Sequence, residues 1–207
     1  MANGLTLGSI YALVALGYTL VYGILGLINF AHGEVVMVGA LTALAASKLL
    51  LAAALPPVVV FVLAFLFAAL VCMALSLVIE RIAYRPLRNA PSLAPLITAI
   101  GVSIILQQLA MMLCGRSYHA MPQLGPGAAF ALGGVQITVI QLVIIGVAGL
   151  PMAALLVLVN RTRLGRAMRA TAENPGIAAL MGVDANRIIV LAFMIGSALA
   201  ALAGMLV

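Results

Sequence analysis

Long apolar runs separated by short polar breaks account for nearly the whole chain. The first run extends from about Leu5 to Ile28, and a polar break holding Asn29, His32, Gly33 and Glu34 follows. A second run, about Val35 to Leu55, ends at Pro56-Pro57. A third, about Val58 to Ile79, leads into a charged loop with Glu80, Arg81, Arg85 and Arg88. The fourth covers about Leu93 to Leu113, and a Gly/Pro-rich connection, Gly115 to Gln136, separates it from the fifth, about Ile137 to Val159. An arginine-rich loop then precedes a sixth run that starts at Ile188. Each run is roughly 20 residues, the length of a helix crossing the hydrocarbon core. Barrel strands would show ~10-residue alternating segments instead. The predicted fold is all-α: a polytopic transmembrane helix bundle of about six spans, forming one transmembrane domain over residues 1–207.

Composition agrees, with 66% hydrophobic and 7% charged residues and a mean hydropathy of +1.32. Soluble domains are about 25% charged. The net charge of +6 does not point to nucleic acid, because the arginines lie beside membrane spans and mark topology instead. The loops at Arg81–Arg88 and Arg161–Arg187 hold eight of the ten basic residues. Two spans separate them, so both lie on one side, which the positive-inside rule makes cytoplasmic. The Gly115–Gln136 loop is then external, and so is the N-terminus if the first three spans each cross fully. Met1-Ala2-Asn3-Gly4 has no basic n-region, so the first span is expected to be retained rather than cleaved. The chain stops at Val207 with no polar tail, and a C-terminally truncated chain is expected from that. Cys72 and Cys114 fall inside apolar runs, where packing roles suit them better than a disulfide or metal framework.

The break at Asn29, His32 and Glu34 reads first as a surface turn, with Glu34 favouring the N-terminus of the second helix. At membrane depth the same three residues would be candidates for a translocation path, since ionisable groups inside a bilayer are costly and functional. Lys48 is expected to snorkel to the interface. Gly196, Ala200 and Gly204 recur every four positions, a ridge that lets helices approach closely in lipid.

The arginine-rich loop, residues 160–187, gathers Arg161, Arg163, Arg166, Arg169 and Arg187 with Glu173 and Asp184. Within it Asn174 suits an N-cap, Pro175 the first helical position and Gly182 the residue past a helix end. Ile177, Leu180 and Met181 share one face of the bracketed helix at i, i+3 and i+4. A helix so short needs a surface to pack on, either this protein or a groove on a cytoplasmic partner. Arg163, Arg166 and Arg169 could orient such a partner electrostatically, or face water or lipid headgroups. Asp184 can cap the sixth span.

Enzymatic chemistry is not indicated. Lys48 is the only lysine and follows Ala45-Ala46-Ser47, so there is no phosphate-binding Gly-Lys motif. If ATP drives this protein, another chain binds it. His32 and His119 lie on different predicted loops, no metal or cofactor set is expected, and Glu34 is the only acid placed near a span interior.

Three blocks resemble the LivH-type permeases, membrane subunits of branched-chain amino acid ABC importers. They are Asn3-Gly-Leu-Thr-Leu-Gly-Ser-Ile-Tyr-Ala-Leu through Leu27-Ile-Asn-Phe-Ala-His-Gly-Glu34, Ile79-Glu-Arg-Ile-Ala-Tyr-Arg-Pro-Leu-Arg88, and Arg163-Leu-Gly-Arg-Ala-Met-Arg-Ala-Thr-Ala-Glu-Asn174 continuing through Met181-Gly-Val-Asp184. They cover roughly half the chain, in the family's order. The resemblance implies a multi-pass protein of a bacterial inner membrane. It further implies a LivM-like second permease subunit, two cytoplasmic ATPases and a periplasmic amino-acid-binding protein delivering leucine, isoleucine or valine. It makes the third block, with Arg166, Arg169, Glu173, Asn174, Ile177, Leu180, Met181 and Gly182, the ATPase-contacting loop. ABC importers carry a Glu-Ala-Ala…Gly pattern there; Ala178 and Gly182 fit it, and Gly176 stands at the Glu position. Members of the family continue with further spans. An importer of the same type for urea, short amides or another amino acid, an ion-coupled secondary transporter, and an inactive membrane fragment are the competing readings. The external loop with Arg116, Tyr118 and His119 offers a contact for a binding protein, though for any one of these residues a plain solvated loop is the favoured reading.

Overall fold

The computed structural model describes residues 2–53, 55–87, 90–91, 93–115, 129–132 and 135–207. Six helices there are long and apolar enough to cross a membrane, so the protein is an all-α multi-pass bundle. They are α1 (Ala2–Leu25), α2 (His32–Ala52), α3 (Pro57–Ile79), α4 (Leu93–Cys114), α5 (Val139–Arg161) and α8 (Ala185–Leu206). Two short helices, α6 (Arg163–Glu173) and α7 (Pro175–Leu180), occupy the arginine-rich segment between α5 and α8. α3 continues through a π-helical turn, Glu80–Tyr84, and a 3-10 turn, Arg85–Leu87.

Several boundaries differ from the sequence reading by up to three residues, α1 running Ala2–Leu25 and α8 starting at Ala185. The second span begins at His32 rather than Val35. The connection before the fifth span contains an antiparallel hairpin, β1 (Ala129–Leu132) with β2 (Val135–Thr138), so α5 begins at Val139. Gly and Pro in this connection masked the alternating Val135-Gln136-Ile137-Thr138 stretch, which is strand-like. At the junction the Thr138 N–H donates to Gln141 Oε1 at 3.1 Å, the return half of a capping box. Gln141 Nε2 also donates to Asn3 Oδ1 at 2.5 Å. That bond ties the starts of α1 and α5 together at the hairpin end.

The arginine-bearing segments share the opposite end. Ser76 Oγ of α3 donates to the Phe193 carbonyl of α8 at 3.2 Å, and the Tyr84 and Phe193 rings sit 5.4 Å apart. The end of α3 thus lies beside the start of α8. Successive spans alternate in direction, with the N-terminus at the hairpin end.

α8 is the central helix. Some 72% of its apolar window is buried, against 6% for α4 and 11% for α5. It packs against α1, α2 and α3, and the Gly196–Ala200–Gly204 ridge makes the contact. A Cβ on Gly196 would come within 3.3 Å of the Gly17 carbonyl oxygen of α1. A Cβ on Gly204 would run into the Val36 carbonyl of α2. From the other side, a Cβ on Gly39 would lie 2.8 Å from Ala201 Cα. Such proximity maximises dispersion contact where lipid removes the hydrophobic drive between helices.

Leucine at Gly39 is expected to force α2 and α8 apart and destabilise the bundle by about 1–3 kcal/mol or more. Leucine at Gly101, where an added Cβ meets nothing within 4 Å, is the control. Monodispersity after stepwise heating in detergent checks this: the first variant loses its peak at lower temperature and the second follows wild type.

Candidate functional site

Two regions carry the residues singled out from sequence, one in the arginine-rich segment and one at the break between α1 and α2. In the first, α5 passes directly into α6 through Thr162. The Thr162 N–H donates to the Leu158 carbonyl at 3.3 Å, and its Oγ1 accepts from the Gly165 N–H at 3.1 Å. Thr162 therefore ends one helix and caps the next. Gly165, Met168 and Thr171 form the buried side of α6. A Cβ at Gly165 would fall on the Leu158 and Val159 carbonyls, so only glycine lets α6 fold back under α5. Arg163, Arg166, Arg169 and Glu173 are exposed. Arg169 Nη1 also donates to the Val159 carbonyl oxygen.

α7 is bracketed as its sequence predicts. Asn174 Oδ1 accepts from the Gly176 and Ile177 N–H groups at 2.9 and 3.1 Å. At the other end Gly182 takes φ +83°. The Gly182 N–H donates to the Ala179 carbonyl and the Val183 N–H to the Ala178 carbonyl, both at 3.0 Å. This pair of bonds is the Schellman arrangement, which satisfies carbonyls the helix end leaves open. Asp184 then caps α8, its Oδ1 accepting from Asn186 and Arg187 N–H at 3.0 and 3.3 Å.

Only Ala178 of α7 is buried. Ile177, Leu180 and Met181 are 60, 88 and 80% exposed. They lie at the arginine-bearing end of the bundle, outside the six candidate spans. Of the two surfaces open from sequence, the described part of this chain does not cover that face.

The break is not a surface turn. Gly26, at φ +65°, ends α1, and the chain then folds back into the bundle. Asn29 and His32 are 5 and 3% exposed. Asn29 Oδ1 accepts from the Ala31 N–H at 3.1 Å and from Tyr84 Oη at 2.7 Å. The His32 ring meets Tyr18 edge-on at 4.8 Å, and a Cβ on Gly17 would lie 2.5 Å from His32 Nε2. Gly17 is eight residues before Leu25, about 12 Å along the helix. Glu34 Oε1 accepts from Ser103 Oγ at 2.9 Å and Gln107 Nε2 at 2.6 Å. These lie ten and fourteen residues into α4, about 15 and 21 Å from its start. The second helix therefore begins inside the span layer. The correction has a physical cause: distant side chains meet Asn29 and Glu34, Tyr84 on the first and Ser103 and Gln107 on the second, while His32 Nε2 is buried without a hydrogen-bond partner among the described residues.

Sequence reasoning missed Tyr84, Ser103 and Gln107. Ser103 and Gln107 carried a readable signal, two polar side chains one turn apart in an apolar helix. Tyr84 carried none, because its reach to Asn29 depends on the π-helical turn. Arg88, Arg116, Tyr118 and His119 lie outside the described residues.

The family model described as the branched-chain amino acid transport system permease component matches residues 1–207. The high-affinity branched-chain amino acid transport system permease protein BraD of Pseudomonas aeruginosa is 47% identical over 211 residues, covering all of this chain and 69% of that protein. The LivH proteins of Salmonella typhimurium and Escherichia coli, of the same description, are 44% identical over 212 residues, covering all of this chain and 68% of theirs. No solved structure matches.

Phenylalanine at Tyr84 is expected to free one side of the break. Asn29 Oδ1 would keep only the Ala31 N–H, at a cost of about 1 kcal/mol. Hydrogen exchange of amides 29–34 should accelerate severalfold while α1 is unaffected; unchanged exchange would show that Tyr84 does not hold the break.

Proposed function

Because the chain belongs to the branched-chain amino acid transport permease family, we propose that it is the membrane-spanning subunit of an ABC importer for leucine, isoleucine and valine in a bacterial inner membrane. Its partners are a LivM-like second permease, two cytoplasmic ATPases that supply the ATP chemistry, and a periplasmic binding protein that delivers substrate. Residues 160–187 form the ATPase-docking loop of the single transmembrane domain.

The observation that carries the docking assignment is the uncovered face of α7. Caps at both ends hold a helix too short to persist alone, and it presents Ile177, Leu180 and Met181 outward. An apolar helix face entering a groove is a recurring recognition mode. The arginines of α6 add positive charge beside it, which favours encounter with an acidic rim.

Coupling follows from connectivity. α6 joins α5 with Thr162 alone between them, and α7 joins α8 through Met181 to Asp184. Closure of the ATPases would shift α6 and α7 together. The shift would pass into α8, whose ridge contacts α1 and α2 on either side of the break. Asn29, His32 and Glu34 would then line the path whose access alternates.

Replacing Leu180 with Asp puts a charge at the centre of the docking face, away from every core contact. Capture of the cognate ATPases by the solubilised permease should fall at least tenfold, with membrane insertion unchanged. Equal capture by wild type and variant would sink the docking assignment. Alanine at Asn174, which removes the cap at about 1 kcal/mol, should weaken capture more mildly.

A further inference from the structure

Glu34 places a carboxylate partway along a membrane span. Ser103 and Gln107 both donate to its Oε1 and lie 3.5 Å from one another. They hold the carboxylate in one place, and among the described residues no donor addresses Oε2. Two neutral donors lower the cost of burying an anion without cancelling its charge. Beside it, between α2 and α4, opens a cavity of about 450 Å³. Its walls are Met37, Leu41, Ala110 and Met111, with Glu34 and Gln107 as the polar groups and Cys114 and Gly115 at one end. The volume suits a small molecule. Among the described residues no Lys, Arg or His lines it, so the complementary ligand brings its own compact cation on an aliphatic body.

We infer that this cavity is a substrate station: Glu34 takes the α-ammonium group of a free amino acid at Oε2, and Met37, Leu41 and Met111 receive its aliphatic side chain. The inference rests on the transport reading above and deepens it by naming contacts. Ser103 and Gln107 are positioning residues that fix the carboxylate. Met37 and Met111 suit the task because unbranched thioethers repack around differently branched side chains. One pocket can then accept leucine, isoleucine and valine.

The test uses the chain reconstituted in proteoliposomes with its second permease, ATPases and binding protein, reading leucine translocated per ATP hydrolysed. Glu34→Gln keeps the shape and an acceptor but removes the charge. It should lower that ratio ~10–100-fold, the range for losing a charged hydrogen bond, with ATPase capture unchanged. Glu34→Asp, which keeps the anion, should retain a ratio several-fold above that of Glu34→Gln. A wild-type ratio in Glu34→Gln, or an equal fall in both variants, would overturn the station. If Glu34→Gln does not insert, Ser103→Ala replaces it, with an expected fall of about fivefold; no fall would overturn the inference. A wild-type assembly that captures ATPases yet imports no branched-chain amino acid would overturn the transport reading, and the station with it. Normal import by wild type together with an unaffected Glu34→Gln would overturn the station alone.

Discussion

The approach of α8 to α1 and α2 at backbone distance is the contact that organises the rest of the bundle. Lipid offers no solvent to expel, so helices gain by touching over the longest possible stretch. Gly196, Gly204 and Gly39 have no side chain for that reason, and the Ala201 Cα sits where a Cβ on Gly39 would need to be. Gly17 serves twice. The space left by its missing Cβ accommodates the His32 ring on one side and the Gly196 carbonyl on the other. The helix–helix contact and the inward fold of the break thus share one residue.

The same helix is an end point of the water-facing segment. α7 is separated from α8 only by the Schellman turn and the Asp184 cap. In the proposed coupling, a displacement of α7 would pass through two hydrogen-bonded helix ends rather than through loose chain. On the other side Thr162 leaves no slack between α5 and α6. A rigid element at each end of the segment suits the coupling role proposed above, and the helix it joins on the inner side, α8, is the most buried span.

Much of this was written locally in the chain. Span lengths, the glycine ridge and the caps at Asn174, Gly182 and Asp184 obey rules that act within a few residues, and the structure contains each of them. The depth of the break could not be read in the same way. It depends on Asn29 meeting Tyr84, 55 positions away, and on Glu34 meeting Ser103 and Gln107, 69 and 73 positions away. A polar stretch between two apolar runs looks the same whether water or distant side chains satisfy it. The hairpin was hidden because Gly and Pro dominate its surroundings. α6 was visible as a charged segment, but its fold back under α5 turns on Gly165, whose role appears only once the Leu158 and Val159 carbonyls are in view.

The central position of α8 also has a consequence for biosynthesis. Chains emerge from the ribosome N-terminus first, and α8 is the last of these six spans to be made. α1 and α2 touch each other little and α8 extensively, so the packing that joins these two early spans is completed only when the last of the six is made.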